Sequence, residues 1–418
     1  MKFLIKSATI IDPRGQYHNQ QKDILITDGI ITAIEDSIGS DPEITVIEKE
    51  NLHVSRGWFD TSICFGEPGY EERETIANGL NTAGKSGYTG VVLNPNTNPV
   101  TDGHSNINFL KNKANGHPVN IYPVGSLTVN SEGVDLAELY DMRSAGAVAF
   151  GDYQHSVSNP NLMKLALQYC QSFNGLVMSF PQEDKIAGKG VVNEDESTIK
   201  LGLKGIPALA EELQIARDLY ILEYTGGKLH IPTISTSRSV ALVRAAKEKS
   251  LDVTCSVAIH NLMFDSGALN EFDTRFKVLP PLRTQEDIVA LKAGLEDGTI
   301  DFITSDHNPI DIEHKKVEFD HAMYGTIGLE SAFGALLKMF SLEKVIEILT
   351  SGKSRFDVSE ADIKTGEAAD LTLFNPSHTY TFNKSDIHST SANSAFLGSE
   401  LEGKAYGVFN EGKILLND

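Results

Sequence analysis

Trp58-Phe59-Asp60-Thr61-Ser62-Ile63-Cys64-Phe65-Gly66-Glu67-Pro68-Gly69 is a short apolar, β-prone run that closes on polar residues and a Gly- and Pro-rich loop. A helix-like stretch, Glu71–Lys85, follows it, and a second β run, Gly90–Leu93, closes on Asn94-Pro95-Asn96-Thr97-Asn98-Pro99. The same unit recurs downstream. Further β runs fall at Asn120–Val124, Ala147–Phe150, Leu176–Phe180, Leu229–Ile234, Asp252–Val257 and Asp301–Thr304. Helix-like stretches separate most of them, among them Pro160–Phe173, Pro207–Tyr224, Ser237–Lys249 and Gln285–Leu295, with Ser235 or Thr236 available to cap the helix near Ser237 and Asn159 to cap the one that has Pro160 at its first position. Eight β runs alternating with helices over roughly 250 residues predict an α/β protein built as a (β/α)8 TIM barrel. A long doubly wound sheet is the structural alternative, but no GxGxxG turn follows the first strand. In such a barrel, function sits where the strands end.

Both ends of the chain have a different texture. Residues 1 to 55 read as short strands with turns, including an Asp28-Gly29 hairpin signal, and the stretch from about Asp370 onward reads the same way. We therefore expect residues 1–55 and 361–418 to form one small composite β-sandwich, and residues 56–360 to form the barrel.

Composition narrows the function. The 418 residues carry 36 Lys plus Arg against 57 Asp plus Glu, a net charge of −21. That balance argues against nucleic-acid or anionic-membrane partners, which need a basic footprint. The start, MKFLIKSATIID, has too short an apolar run for a signal peptide, and no stretch is long and apolar enough to span a membrane. Cys64, Cys170 and Cys255 are odd in number and far apart, which fits a reducing cytoplasm rather than a disulfide framework.

The strand ends carry a more specific signal. Glu67-Pro68-Gly69, Asn94 to Pro99, Gly202-Leu203-Lys204-Gly205-Ile206-Pro207, Glu271-Phe272-Asp273 and Gly328-Leu329-Glu330 occur in this order along the chain. Together they resemble the dihydroorotase family of the amidohydrolase superfamily, over essentially the whole length. The resemblance implies a zinc-dependent, reversible ring closure of N-carbamoyl-aspartate, with ligands drawn from the ends of strands one, four, five, six and eight. It also implies that most of those ligands are replaced here. Ser62 and Cys64 stand at the two His positions after strand one, and Tyr153 takes the bridging carboxylate position beside the surviving Asp152. Phe180 stands at the strand-five His position and Thr233 at the strand-six one, which leaves Asp306 as the clear survivor. On the substrate side, Gly66 replaces an Arg and Leu279 an Asn, while Asn96 and His260 match substrate-contacting positions.

Several constellations compete on these residues. Cys64, Asp152, His260 and Asp306 are chemically legitimate zinc ligands, although they come from separate strands. The blander reading makes Cys64 a small buried hydrophobe, His230 a structural histidine and His307 a residue that packs or caps behind a vestigial Asp306. A Ser62 nucleophile needs a base, and the sequence names none. The expectation is a catalytically degenerate dihydroorotase without cofactor, although active relatives use zinc. It would act as a scaffold or assembly partner of aspartate carbamoyltransferase, form a homo-oligomer such as a dimer, and reside in the cytoplasm. The rival is an active cyclic-amide hydrolase with an atypical metal site. A third reading is a metal-free binder of a small ligand at the barrel mouth, using Asn96 and His260.

Overall fold

The computed structural model describes residues 1–39, 42–269 and 271–417, with the side chains at 197 and 199 also left undescribed. Every residue of β1 (Trp58–Ile63) and β2 (Tyr88–Leu93) is buried, as parallel strands covered on both faces require. The sheet continues through β3 (Asn120–Gly125), β4 (Ala149–Phe150), β5 (Leu176–Met178), β6 (Lys228–Ile231), β7 (Val253–Ala258) and β8 (Phe302–Thr304). All neighbours are parallel and lie in chain order.

The ring closes between β8 and β1 largely through a side chain. Thr304 Oγ1 donates to Asp60 Oδ1 (2.6 Å) and to the Ser62 carbonyl (2.6 Å), and Ser305 N donates to Asp60 Oδ2 (3.0 Å). Cys64 N completes the seam on the His307 carbonyl at 2.7 Å. Phe59, Val92, Val124, Ala149, Leu176 and Met178 fill the interior with Phe356, so the barrel is packed rather than hollow.

The helices of seven residues or more among the described residues are α1 (Ile76–Lys85), α2 (His104–Ala114), α3 (Leu139–Ala145), α4 (Pro160–Cys170), α5 (Ala208–Thr225), α6 (Ser237–Glu248), α7 (Gln285–Glu296), α8 (Leu329–Leu337) and α9 (Leu342–Thr350). α1 begins later than the expected Glu71. Thr75 caps it by accepting from Asn78 N, and a backbone turn occupies the residues before it. Asn159, ahead of Pro160, caps α4, and Thr236 rather than Ser235 caps α6. The Ser235 hydroxyl is committed elsewhere, donating to buried Glu211.

Both termini build one further sheet, ordered Lys413–Leu416, Glu400–Asn410, Leu371–Thr381, His53–Arg56, Lys2–Ile10, Gln20–Thr27 and Ile30–Glu35, with Ile44–Ile47 pairing on Lys2–Ile10. Its core mixes residues from the two ends, including Phe3, Ile5, Ile24, Leu371, Leu373 and Phe409. Trp58 ties this unit to the barrel. Its backbone N–H donates to Thr372 Oγ1 at 3.1 Å, and its ring lies 4.6 Å from Phe333 and 5.6 Å from Phe374. Between Leu371–Thr381 and Glu400–Asn410 the chain makes an excursion onto the barrel, where Asn393 Nδ2 donates to the carbonyls of Asn308 and Gly325 (3.3 and 3.2 Å). No helix among the described residues is long and apolar enough to cross a membrane.

Candidate functional site

The ends of the barrel strands bring Ser62, Tyr153, Phe180, Thr233 and Asp306 around one cavity, with Leu279 closing it. These are five of the six positions at which the family resemblance implies metal ligands. The cavity holds only about 10 Å³, room for roughly a single water. Phe180 and Leu279 pack in an apolar cluster with Ala187, Ile206 and Ala210, against which Tyr324 leans. The Tyr324 hydroxyl donates to the Gly190 carbonyl (3.1 Å), joining the loops that follow β5 and β8 above the mouth.

Backbone geometry at the mouth is unusual. Tyr153, Thr233 and Asp306 all have left-handed φ, at 53°, 51° and 46°. For a β-branched residue such as Thr233 this is strained backbone of the kind that collects at functional sites, and it costs about 1–3 kcal/mol. Thr233→Gly is accordingly expected to raise stability by about 1 kcal/mol in urea denaturation. A loss of similar size would show that the turn stores no strain.

The polar groups do not assemble a nucleophile or a base. Asn94 Nδ2 donates to Ser62 Oγ at 3.0 Å and approaches Cys64 Sγ at 3.8 Å. Burial pushes the Cys64 thiol up to about 12, so the thiolate that would attack or bind metal is not populated near neutral pH. Burial, and then the Asp60 carboxylate, push Asp306 well above the usual carboxylate range, and the Tyr153 hydroxyl draws it partly back.

Asp152 points away from the cavity. It accepts from Ser126 Oγ, Leu127 N, Thr128 N and Thr128 Oγ1 at 2.6–3.0 Å, tying down the loop after β3. His260 is fully buried outside the cavity lining, makes no hydrogen bond through either ring nitrogen among the described residues, and is pushed by burial to about 3. The set Cys64, Asp152, His260 and Asp306 therefore does not converge. Among the described residues, no three or more His, Cys, Asp or Glu side chains gather closely enough to hold a metal. The donor set does not fit the zinc that the family resemblance implies.

Substrate-side positions follow the same course. Asn96 lies beside the Cys64 thiol with its Oδ1 buried and unpartnered, outside the cavity lining. With His260 also displaced and the cavity water-sized, a ligand site at the mouth built on Asn96 and His260 is not formed. At Gly66 the loop has closed over the position, and a Cβ there would sit 1.8 Å from the Tyr70 carbonyl oxygen. An Arg could not be restored at 66 without rebuilding that turn.

Histidines near the mouth are structural. His230 pairs through Nδ1 with Thr254 Oγ1 (3.0 Å) and through Nε2 with Ser256 Oγ (3.3 Å), and is held neutral by burial at about 3. His307 Nδ1 accepts from Gly328 N (3.3 Å) at the start of α8. Glu330 lies 3.9 Å from that nitrogen, but His307 is pushed down to about 3, so the contact is not an ion pair at neutral pH.

Glu330 itself is pushed up to about 7, first by burial and also by Glu74, while its Oε1 accepts from His388 N and Ser389 N. The folded protein thus keeps a proton that the unfolded chain loses above its ordinary 4.5. Stability contributed by this group is full below that value and falls as pH rises towards 7. Urea titrations at pH 5 and pH 8 are expected to show Glu330→Gln gaining about 2–3 kcal/mol relative to the parent between those two values. An equal difference at both pH values would refute this.

Sequence reading missed a buried ion-paired network beside the mouth. Arg283 donates through Nε to Ser235 Oγ (3.0 Å) and through Nη1 to Asn193 Oδ1 and the Ile206 carbonyl (both 2.8 Å), with Nη2 3.7 Å from Glu211 Oε2. Glu211 also accepts from Ser235 N, Thr236 N and Ser239 Oγ. No local spacing announces a contact between residues 72 positions apart.

A parallel eight-stranded barrel joined to a sheet made from both termini is the architecture of the hydantoinase-like amidohydrolases. The fold matches L-hydantoinase (dihydropyrimidinase) from Arthrobacter aurescens with a TM-score of 0.85, covering 99% of this chain and 96% of that one at 20% identity. The Dihydro-orotase-like family profile matches residues 54–239. Proteins named dihydroorotase are similar over the full length. That of Pelotomaculum thermopropionicum is 37% identical over 426 residues, covering 100% of this chain and 99% of the relative. That of Geotalea daltonii is 36% identical over 423 residues, covering 99% of each. The chain belongs to the dihydroorotase family.

Proposed function

We propose that this protein is a dihydroorotase-like component of pyrimidine biosynthesis that has lost the hydrolytic chemistry and acts as a scaffold. The observation that supports this reading is the barrel mouth, where the residues at which the family resemblance implies metal ligands include Ser62, Cys64, Tyr153, Phe180 and Thr233, and the remaining space admits about one water. Without a metal, an attacking water keeps a pKa near its bulk value and the amide carbonyl lacks a Lewis acid. Asp306, pushed up by burial and by the neighbouring Asp60 carboxylate, supplies neither.

What remains is a well-packed fold with an outer surface. The family resemblance makes aspartate carbamoyltransferase the partner to test, with the chain itself forming a homo-oligomer, and three buried free cysteines are in keeping with the reducing cytoplasm. Native affinity purification followed by size-exclusion chromatography with light scattering is the experiment. A stoichiometric carbamoyltransferase complex is expected, and its absence from lysate in which that enzyme is abundant would overturn the partner assignment.

The rival, an active cyclic-amide hydrolase with an atypical site, is favoured by one observation, the full-length similarity to relatives named dihydroorotase. Metal content and turnover decide between the two.

A further inference from the structure

A much larger cavity, about 680 Å³, opens beside the sealed mouth. Its walls come from Glu72, the turn at Asp273–Arg275, the segment Ile310–Lys316 with its short helix Ile312–Lys315, and the excursion from the terminal sheet that carries Lys384 and Leu397. The volume lies inside the roughly 300–1,000 Å³ range of small-ligand sites.

Most charges on its walls are already satisfied. Arg275 is held by Asp273 (2.8 Å through Nε), and Asp311 by His314 (2.8 Å) and Arg73 (3.6 Å). Lys315 Nζ is spent on the carbonyls of Lys277, Met323 and Gly325 at 2.7–3.0 Å. Lys316 and Lys384, exposed and on different walls, make no ion pair among the described residues, and Glu72 is the one comparable acid there. The hydroxyls of Thr274, Thr390 and Ser391 already donate to protein acceptors. Ile310 and Leu397 line the cavity, and Ile312 projects at its rim, 71% exposed. In a chain with net charge −21, this cleft sets two ammonium groups without ion pairs, against the single carboxylate of Glu72, beside an apolar surface.

We propose that this cleft binds a small organic anion, its carboxylate, sulfonate or phosphate group met by Lys316 and Lys384 and its apolar body lying on Ile312 and Leu397. The reading is independent of whether the barrel mouth is active.

The test is a fluorescence titration of the full chain with anilinonaphthalene sulfonate, one sulfonate on an apolar ring system, with benzoate as competitor. Saturable binding displaced by benzoate but not by neutral benzamide is expected. The Lys316→Glu/Lys384→Glu variant should bind the probe about tenfold or more weakly. Lys2→Glu/Lys338→Glu, an equal charge change at exposed sites elsewhere, should bind as the parent does. Should the first pair fail to fold by its melting curve, Lys316→Gln/Lys384→Gln replaces it with the same expected direction. Unchanged probe affinity in the cleft variant, equal weakening in the control pair, or equal displacement by benzamide would overturn the assignment. Capture of poly-glutamate without any benzoate binding would overturn the small-ligand class.

Discussion

Purified without added metal and assayed with dihydroorotate, the protein is expected to show no turnover above the uncatalysed rate and well under one zinc per chain by elemental analysis. The expected shortfall against an intact family member is about a millionfold or more, because such enzymes owe at least that much to catalysis. The physical source is the donor set. Zinc needs about four N, S or O ligands in tetrahedral array, and the mouth supplies a hydroxyl, a buried protonated thiol, a phenol, a benzyl group, a threonine and one carboxyl. Added zinc is not expected to change the result, since Asp306 and Asp60 receive no convergent histidine. Stoichiometric zinc together with turnover would sink the scaffold reading and establish the atypical hydrolase.

Arg283→Leu is expected to destabilise the fold by about 3–5 kcal/mol in urea denaturation, because it strips the guanidinium from a buried Glu211 and leaves that charge uncompensated. The same change removes the donors that hold Asn193 and the Ile206 carbonyl, so the loop packed over Phe180 and Leu279 loses its anchor. Hydrogen exchange in residues 184–206 should accelerate more than exchange in β1–β8. Arg283→Lys keeps the charge but not the planar fork, and a smaller loss is expected. A cost below about 1 kcal/mol for the leucine variant would show that the network does not carry the loop.

Much of the architecture was legible because it rests on local pattern. The eight β runs and the helices between them appear nearly where apolar runs and cap residues placed them, as with Pro160 behind Asn159 and Thr236 ahead of Ser237. Where elements moved, a specific contact intervened. α1 starts at Ile76 because Thr75 caps it, and β4 and β5 are only two and three residues long. The composite terminal sheet was readable from two β-rich ends, but the excursion that lays Asn393 and Lys384 against the barrel was not. It depends on long-range contacts such as Asn393 to Gly325.

For the site, the division is different. Residue identity is a property of single letters, and the amino-acid chain alone puts serine, cysteine, tyrosine, phenylalanine and threonine where the family resemblance implies metal ligands. It also determined the fold class, through periodicity, and the unfavourable charge for polyanion partners. Direction and convergence were decided only in the tertiary structure. Asp152 turns into the loop at 126–128, where four donors offset the burial of its charge, and His260 is buried outside the cavity lining. The closing of the mouth by Phe180, Leu279 and Tyr324, and the opening of a cationic cleft beside it, likewise arise where distant segments meet. Sequence spacing determines which face of an element a side chain takes, but packing between elements determines what it meets there.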